Sequence, residues 1–209
     1  ISDFIPGVET VSLGAWFNVG TRHETASTNG IAHMLEHMAF KGTESRTALE
    51  IATSIEDVGG YLNAYTSRES TAYYARILKQ DVKLAVDVLG DILQNSIFDP
   101  VEFSREQSVV LQEIGQANDT PDDIIFDYFQ ETCYPNQPMG RPTLGKAEIV
   151  QSLTPTIVQD YLIRNYGTKQ MVFAAAGNID HQTLVNQVKA SFTTLPNNGP
   201  IDTKPAVYK

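Results

Sequence analysis

An α+β fold, with a mixed and largely antiparallel sheet covered by helices, is what this sequence predicts. Segments with strand periodicity alternate with segments opened by helix-cap residues along the 209-residue chain. Two Tyr- and Thr-rich runs, 61–67 and 70–78, are separated only by Arg68-Glu69, which reads as an antiparallel hairpin. A short apolar run, Met171 to Gly177, reads as a buried strand. No internal repeat and no low-complexity tract interrupts this pattern.

From Val11 to Val19 the apolar residues fall mainly on odd positions, predicting a strand with one buried face that ends at Gly20. Residues 21–28 are polar and predict a loop, with Asn29-Gly30 turning into a helix over about 30–40. A second helix runs from a Thr47 cap to Val58 and stops at Gly59-Gly60. After the hairpin, Asp81 is placed to cap a helix reaching Asn95. Asp99-Pro100 is a start signal, a cap followed by proline in the first turn, for a helix to about Ala117. Residues 118–123 break the pattern, and a helix through Phe129 to Cys133 follows. The prolines from Tyr134 to Pro142 predict a loop. Thr154-Pro155 opens a helix to Asn165, and Asp180 caps a last one to Phe192. From Pro196 to the end the composition is that of a linker, so the chain divides into a folded unit, 1–195, and a tail, 196–209.

Composition narrows the function. Hydrophobic residues make up 42% and charged ones 19%, ordinary for a globular chain with a proper core. A net charge of −10 repels nucleic-acid phosphates; it is compatible with basic peptides, although solubility explains it more simply. No apolar run approaches the roughly 20 residues of a membrane span. No export leader is expected in the sequence given, while the opening Ile1 is compatible with a removed one. The single cysteine, Cys133, excludes an internal disulfide and a thiolate metal cage; it reads as a small buried hydrophobe. Any metal must therefore take histidine and carboxylate ligands.

Such ligands are present in His33-Met34-Leu35-Glu36-His37. On a helix, positions i and i+4 share a face about 6 Å apart, so two neutral imidazoles can hold one Zn²⁺. Glu36, beside both, can reach a water in the open fourth position as a general base. This order, H-x-x-E-H, is that of inverted zinc peptidases. A third ligand is needed, and the helix opened by Asp99 offers Glu106 and Glu113, seven residues apart and therefore on one face about 10.5 Å from each other. Only one can bind the ion directly, leaving the other to orient a histidine. Spacing does not choose between them, and helix glutamates are more often a solvated face. Phe40, one turn after the motif, can line an apolar pocket or belong to the core. His23 and His181 read as exposed structural residues.

The segments Gly30 to Thr43, with the histidine motif, and Gly59-Gly60-Tyr61-Leu62-Asn63-Ala64-Tyr65-Thr66-Ser67-Arg68-Glu69 closely resemble the pitrilysin-type (M16) metallopeptidases. The likeness is greatest to the β subunits of processing peptidases and their bacterial relatives, and it extends through Ala174-Ala175-Ala176-Gly177-Asn178-Ile179-Asp180-His181. In that family the third zinc ligand is a glutamate far downstream of the histidines, with a second glutamate seven residues before it. His37 and Glu113 are 76 positions apart (113 − 37). The resemblance therefore implies Glu113 on the metal and Glu106 in support. It implies an edge strand, 61–67, that holds an extended peptide by backbone pairing, with Asn63 and Ala64 near the scissile bond. Asn63 can equally satisfy a local backbone group.

The resemblance also implies that this chain matches the first half of a two-half enzyme. The family's opening strand is then expected ahead of Ile1, and residues 196–209 lead towards a C-terminal half. That half, or a homologous subunit, supplies an arginine and a tyrosine for the substrate, and a partner supplies a glycine-rich loop. The expected activity is a zinc endopeptidase of processing type that cleaves extended peptides such as basic presequences, weak or inactive as this half alone. Apolar surface left where a second half docks can drive homodimerisation. The expected compartment is the bacterial cytoplasm or the mitochondrial matrix, with the former favoured. The alternative is a non-catalytic core subunit of a respiratory complex; the complete set His33, Glu36, His37 and Glu113 favours the peptidase.

Overall fold

Strand β2, Thr10–Phe17, runs through the middle of a five-stranded sheet in the computed structural model, which describes residues 1–198 and 203–209. On one side lie β4, Thr71–Leu78, and then β3, Tyr61–Thr66; on the other lie β5, Met171–Gly177, and then β1, Ser2–Phe4. Only the β1–β5 pairing is parallel, so the sheet is mixed and largely antiparallel as predicted. Residues 2–4 supply an edge strand that was not predicted from the sequence.

Alternation decides which sheet face is covered. In β2, Val11, Leu13, Ala15 and Phe17 are buried, and register sets the first three beside Ile77, Ala75 and Tyr73 of β4, also buried. Period-two patterning puts all of these on one face. Helices α1, Ile31–Ala39, and α3, Val82–Gln94, pack on the sheet. The other face carries half-buried Trp16 and exposed Tyr61, Tyr65 and Val172.

Most helices start where their caps lie. Thr47 and Glu50 make a capping box for α2, Ala48–Glu56. Asp99 accepts from Val101 and Glu102 N–H to start α4, Pro100–Asp119, and Thr154 and Asp180 cap α7, Pro155–Asn165, and α8, His181–Ser191. Asp81 does not cap α3: a 3-10 turn, Lys79–Asp81, leads into the helix and makes no side-chain cap bond. The predicted break narrows to Thr120, because α4 runs to Asp119 and α5, Pro121–Cys133, follows at once. A short helix, α6, Ala147–Ser152, was not predicted. Cys133 is buried, as expected.

The loop over 21–28 contains two 3-10 turns, Thr21–His23 and Ala26–Thr28, and it buries Thr21 and Glu24 instead of being wholly exposed. Part of the predicted linker, 199–202, lies outside the described residues. Residues 203–209 form no helix or strand, but they are tied down: the Gln137 side chain donates to Val207 O and accepts from Val207 N, each at 2.8 Å. Among the described residues, no helix is long and apolar enough to cross a membrane.

Candidate metal centre

Helix α1 begins at Gly30, whose φ of +98° is a conformation that side-chain-bearing residues rarely adopt. Ile31, Ala32, Met34, Leu35, Met38 and Ala39 are all buried in the core. That leaves His33, Glu36 and His37, at i, i+3 and i+4, as the half-buried face of the helix. Helix α4 packs on α1 through a stripe that contains Phe103, Glu106, Val110 and Ile114. The burial of Glu106 among apolar neighbours rules out a solvated face for that carboxylate. Glu113 is next to Ile114 on the same side.

The packing brings three donors together. Glu113 Oε2 is 3.6 Å from His33 Nε2 and 3.5 Å from His37 Nε2, and the two imidazole centroids are 4.7 Å apart. Two ligands of one tetrahedral zinc ion, each about 2.0–2.1 Å from it, are about 3.3 Å from each other, so this donor set fits the ion with little adjustment. Among the described residues this is the only cluster of three or more His, Cys, Asp or Glu that fits a metal.

The electrostatics agree. Burial, then the neighbouring His37, pushes His33 down to about 4, so its imidazole is neutral near pH 7 as a ligand must be. His37 Nδ1 is 3.0 Å from Glu106 Oε2; an N–H donated there leaves the Nε2 lone pair facing Glu113. Glu106 Oε1 is 2.8 Å from Lys41 Nζ. Burial pushes the Glu106 carboxyl up, but the bonds from Lys41 and His37 outweigh it and hold the group below its ordinary value. Burial raises the Glu36 carboxyl, with Thr66 pulling the other way, and Glu36 Oε2 is buried with no hydrogen-bond partner among the described residues.

The remaining candidates separate. Asn63 and Ala64 are on β3, which among the described residues pairs only with β4 and so leaves one edge free. Asn63 Oδ1 accepts its neighbour Ala64 N–H at 2.8 Å, the local role weighed from sequence. Phe40 packs against Tyr73 at a centroid distance of 6.2 Å, and with Asn63 it also lines an open pocket of about 440 Å³. His23 is half-buried, which corrects its exposed reading; its Nδ1 accepts from Gly20 N–H at 3.0 Å. His181 is exposed and bonds Ser2 Oγ. Sequence reasoning passed over Lys41, although its spacing of four from His37 was a signal, and Glu24, for which no local pattern spoke.

Comparison with known proteins follows the same lines. The family description "Insulinase (Peptidase family M16)" matches residues 2–147, and "Peptidase M16 inactive domain" matches residues 152–209. The chain is 45% identical over 190 residues to a probable mitochondrial-processing peptidase subunit beta of Arabidopsis thaliana, covering 91% of this chain and 36% of that protein. It is 39% identical over 204 residues to an uncharacterized zinc protease of Rickettsia felis, covering 98% of this chain and 50% of that protein. A crystal structure of a Helicobacter pylori protease superposes with a TM-score of 0.90 at 23% identity, covering all of this chain and 50% of the other; at that identity the likeness speaks to the fold. The chain thus spans half or less of the length of these relatives.

Proposed function

The chain belongs to peptidase family M16, and from that premise we propose that it is the metal-carrying half of a zinc-dependent endopeptidase of the processing type. The single observation that carries this reading is the convergence of His33 Nε2, His37 Nε2 and Glu113 Oε2 beside the unpartnered Glu36 Oε2. Those three side chains would hold Zn²⁺. What the ion supplies when bound is Lewis acidity, which polarises a carbonyl and acidifies a water.

The chain's own residues do the rest. Glu106 accepts the hydrogen bond from His37 Nδ1–H and fixes the imidazole with its Nε2 lone pair exposed, and Lys41 keeps Glu106 ionised. Glu36 accepts the proton of the attacking water and returns it to the leaving amine, a role that burial assists by raising its carboxyl towards neutrality. The free edge of β3 pairs with the backbone of an extended substrate, with Asn63 and Ala64 alongside and Phe40 at the neighbouring pocket. The excess of acidic side chains favours basic peptides such as presequences.

Residues 1–195 form the catalytic half in this reading, and 196–209 lead to a second half or a homologous subunit that completes the enclosure. The two family descriptions meet between residues 147 and 152. Both bacterial and mitochondrial relatives are similar, so either the bacterial cytoplasm or the mitochondrial matrix suits the activity. The non-catalytic reading gives Glu36 no task. The test is hydrolysis of a basic, extended peptide by this chain supplied with a C-terminal half. Cleavage that disappears in Glu36→Gln supports the reading, and cleavage that persists in that variant overturns it.

A further inference from the structure

We infer that Glu24 is a positioning residue for the metal-binding helix, a cap supplied from outside that locks the first turn of α1 and thereby sets where His33 stands. The inference rests on the zinc reading above. A helix leaves its first N–H groups without intrahelical partners, and a side chain at the cap position ordinarily takes one of them. Gly30 has no side chain to do so. Glu24 does it instead, from a preceding turn: Oε2 accepts Gly30 N–H and Oε1 accepts Ala32 N–H, each at 2.9 Å. Oε2 also accepts Asn29 Nδ2 at 2.9 Å. His33 follows Ala32 directly, so the first metal donor is one residue from an anchored amide.

Glu24 is itself held. Its N–H donates to Thr21 O at 3.2 Å, and Arg141 Nη2 donates to its carbonyl oxygen at 2.7 Å. The residue is 4% exposed. Burial pushes its carboxyl up to about 7 against the pull of Asn29, the two amides and Arg141. A carboxylate this costly to bury, two of whose three accepted bonds come from backbone N–H groups of one helix end, has the placement of that helix as its effect. Asp91 is the contrasting case. It is 6% exposed and takes bonds from Thr43, Ser45, Arg46 and Asn95, none of them on α1.

The experiment titrates Co²⁺ into the metal-free chain, well below each variant's unfolding temperature, and reads affinity together with the visible absorption band that reports ligand geometry. Glu24→Gln keeps the volume but replaces one acceptor oxygen by an NH₂ facing an N–H. We expect about 10- to 100-fold weaker Co²⁺ binding and a shifted band with helical content retained, the scale set by residues that orient metal ligands. Asp91→Asn is expected to leave affinity and band unchanged. Arg141→Gln is expected to weaken binding several-fold in the same direction, and it decides the matter if Glu24→Gln does not fold. Wild-type affinity and band in the folded Glu24 variant, or in Arg141→Gln when that variant decides, overturn the inference. So does an equal loss in Asp91→Asn, which would mark general destabilisation. A wild-type chain that binds no Co²⁺ overturns the metal reading itself, and this inference with it.

Discussion

Helices α1 and α5 are built on opposite plans. Six of the nine residues of α1 are buried, and its polar face meets α4 through Glu106, Glu113 and the two imidazoles. Of thirteen residues in α5 only Cys133 is buried, and Phe126, Tyr128 and Phe129 stand 68%, 58% and 57% exposed. Solvent-facing aromatic side chains in such a row mark a surface that another surface covers. The difference teaches that the donor cluster is assembled within this chain, whereas the aromatic face of α5 finds no covering surface among the described residues. That is the division expected when relatives are at least twice as long.

This contrast can be broken most severely at the histidines. His33→Ala or His37→Ala is expected to abolish zinc binding and peptide hydrolysis together, measured as metal per chain and turnover in the complemented enzyme; retention of the metal would mean that α1 is not its anchor. Glu36→Gln comes next, with turnover down about 10²–10⁴-fold, the range of a lost general base, and metal content unchanged. Glu106→Gln is expected to weaken zinc about 10- to 100-fold, read by competition with a chelator, because His37 loses the carboxylate that fixes its ring. On the stability side, Leu35→Ala in α1 is expected to cost about 2–5 kcal/mol by denaturant unfolding. Phe126→Ser in α5 is expected to change stability by no more than about 0.5 kcal/mol while reducing self-association in sedimentation. If Phe126→Ser instead proves as costly as Leu35→Ala, the two helices do not differ as described.

What could be read from sequence was what is local. The caps at Thr47, Asp99, Thr154 and Asp180 work through residues two or three positions away, and all four hold. His33, Glu36 and His37 could be assigned to one face by helical spacing alone. Glu106 and Glu113 could not be told apart in that way, since they share a face; the structure separates them by what α1 presents opposite each one. Glu24 was hidden for a related reason. A polar residue in a polar stretch looks solvated until the chain folds back and places its carboxylate under a helix. Strand β1 depends on pairing Ser2–Phe4 with residues 175–177, a partnership that three residues of sequence do not announce. Asp81 makes no cap bond, and the chain enters α3 through a tighter turn that the sequence pattern did not announce.

Elemental analysis of zinc per chain, on the purified wild type and on Glu113→Gln, tests the central claim most directly. One equivalent in the wild type with a large loss in the variant is the predicted result. Equal zinc in both, or none in the wild type, would contradict a metal grip formed by α1 and α4.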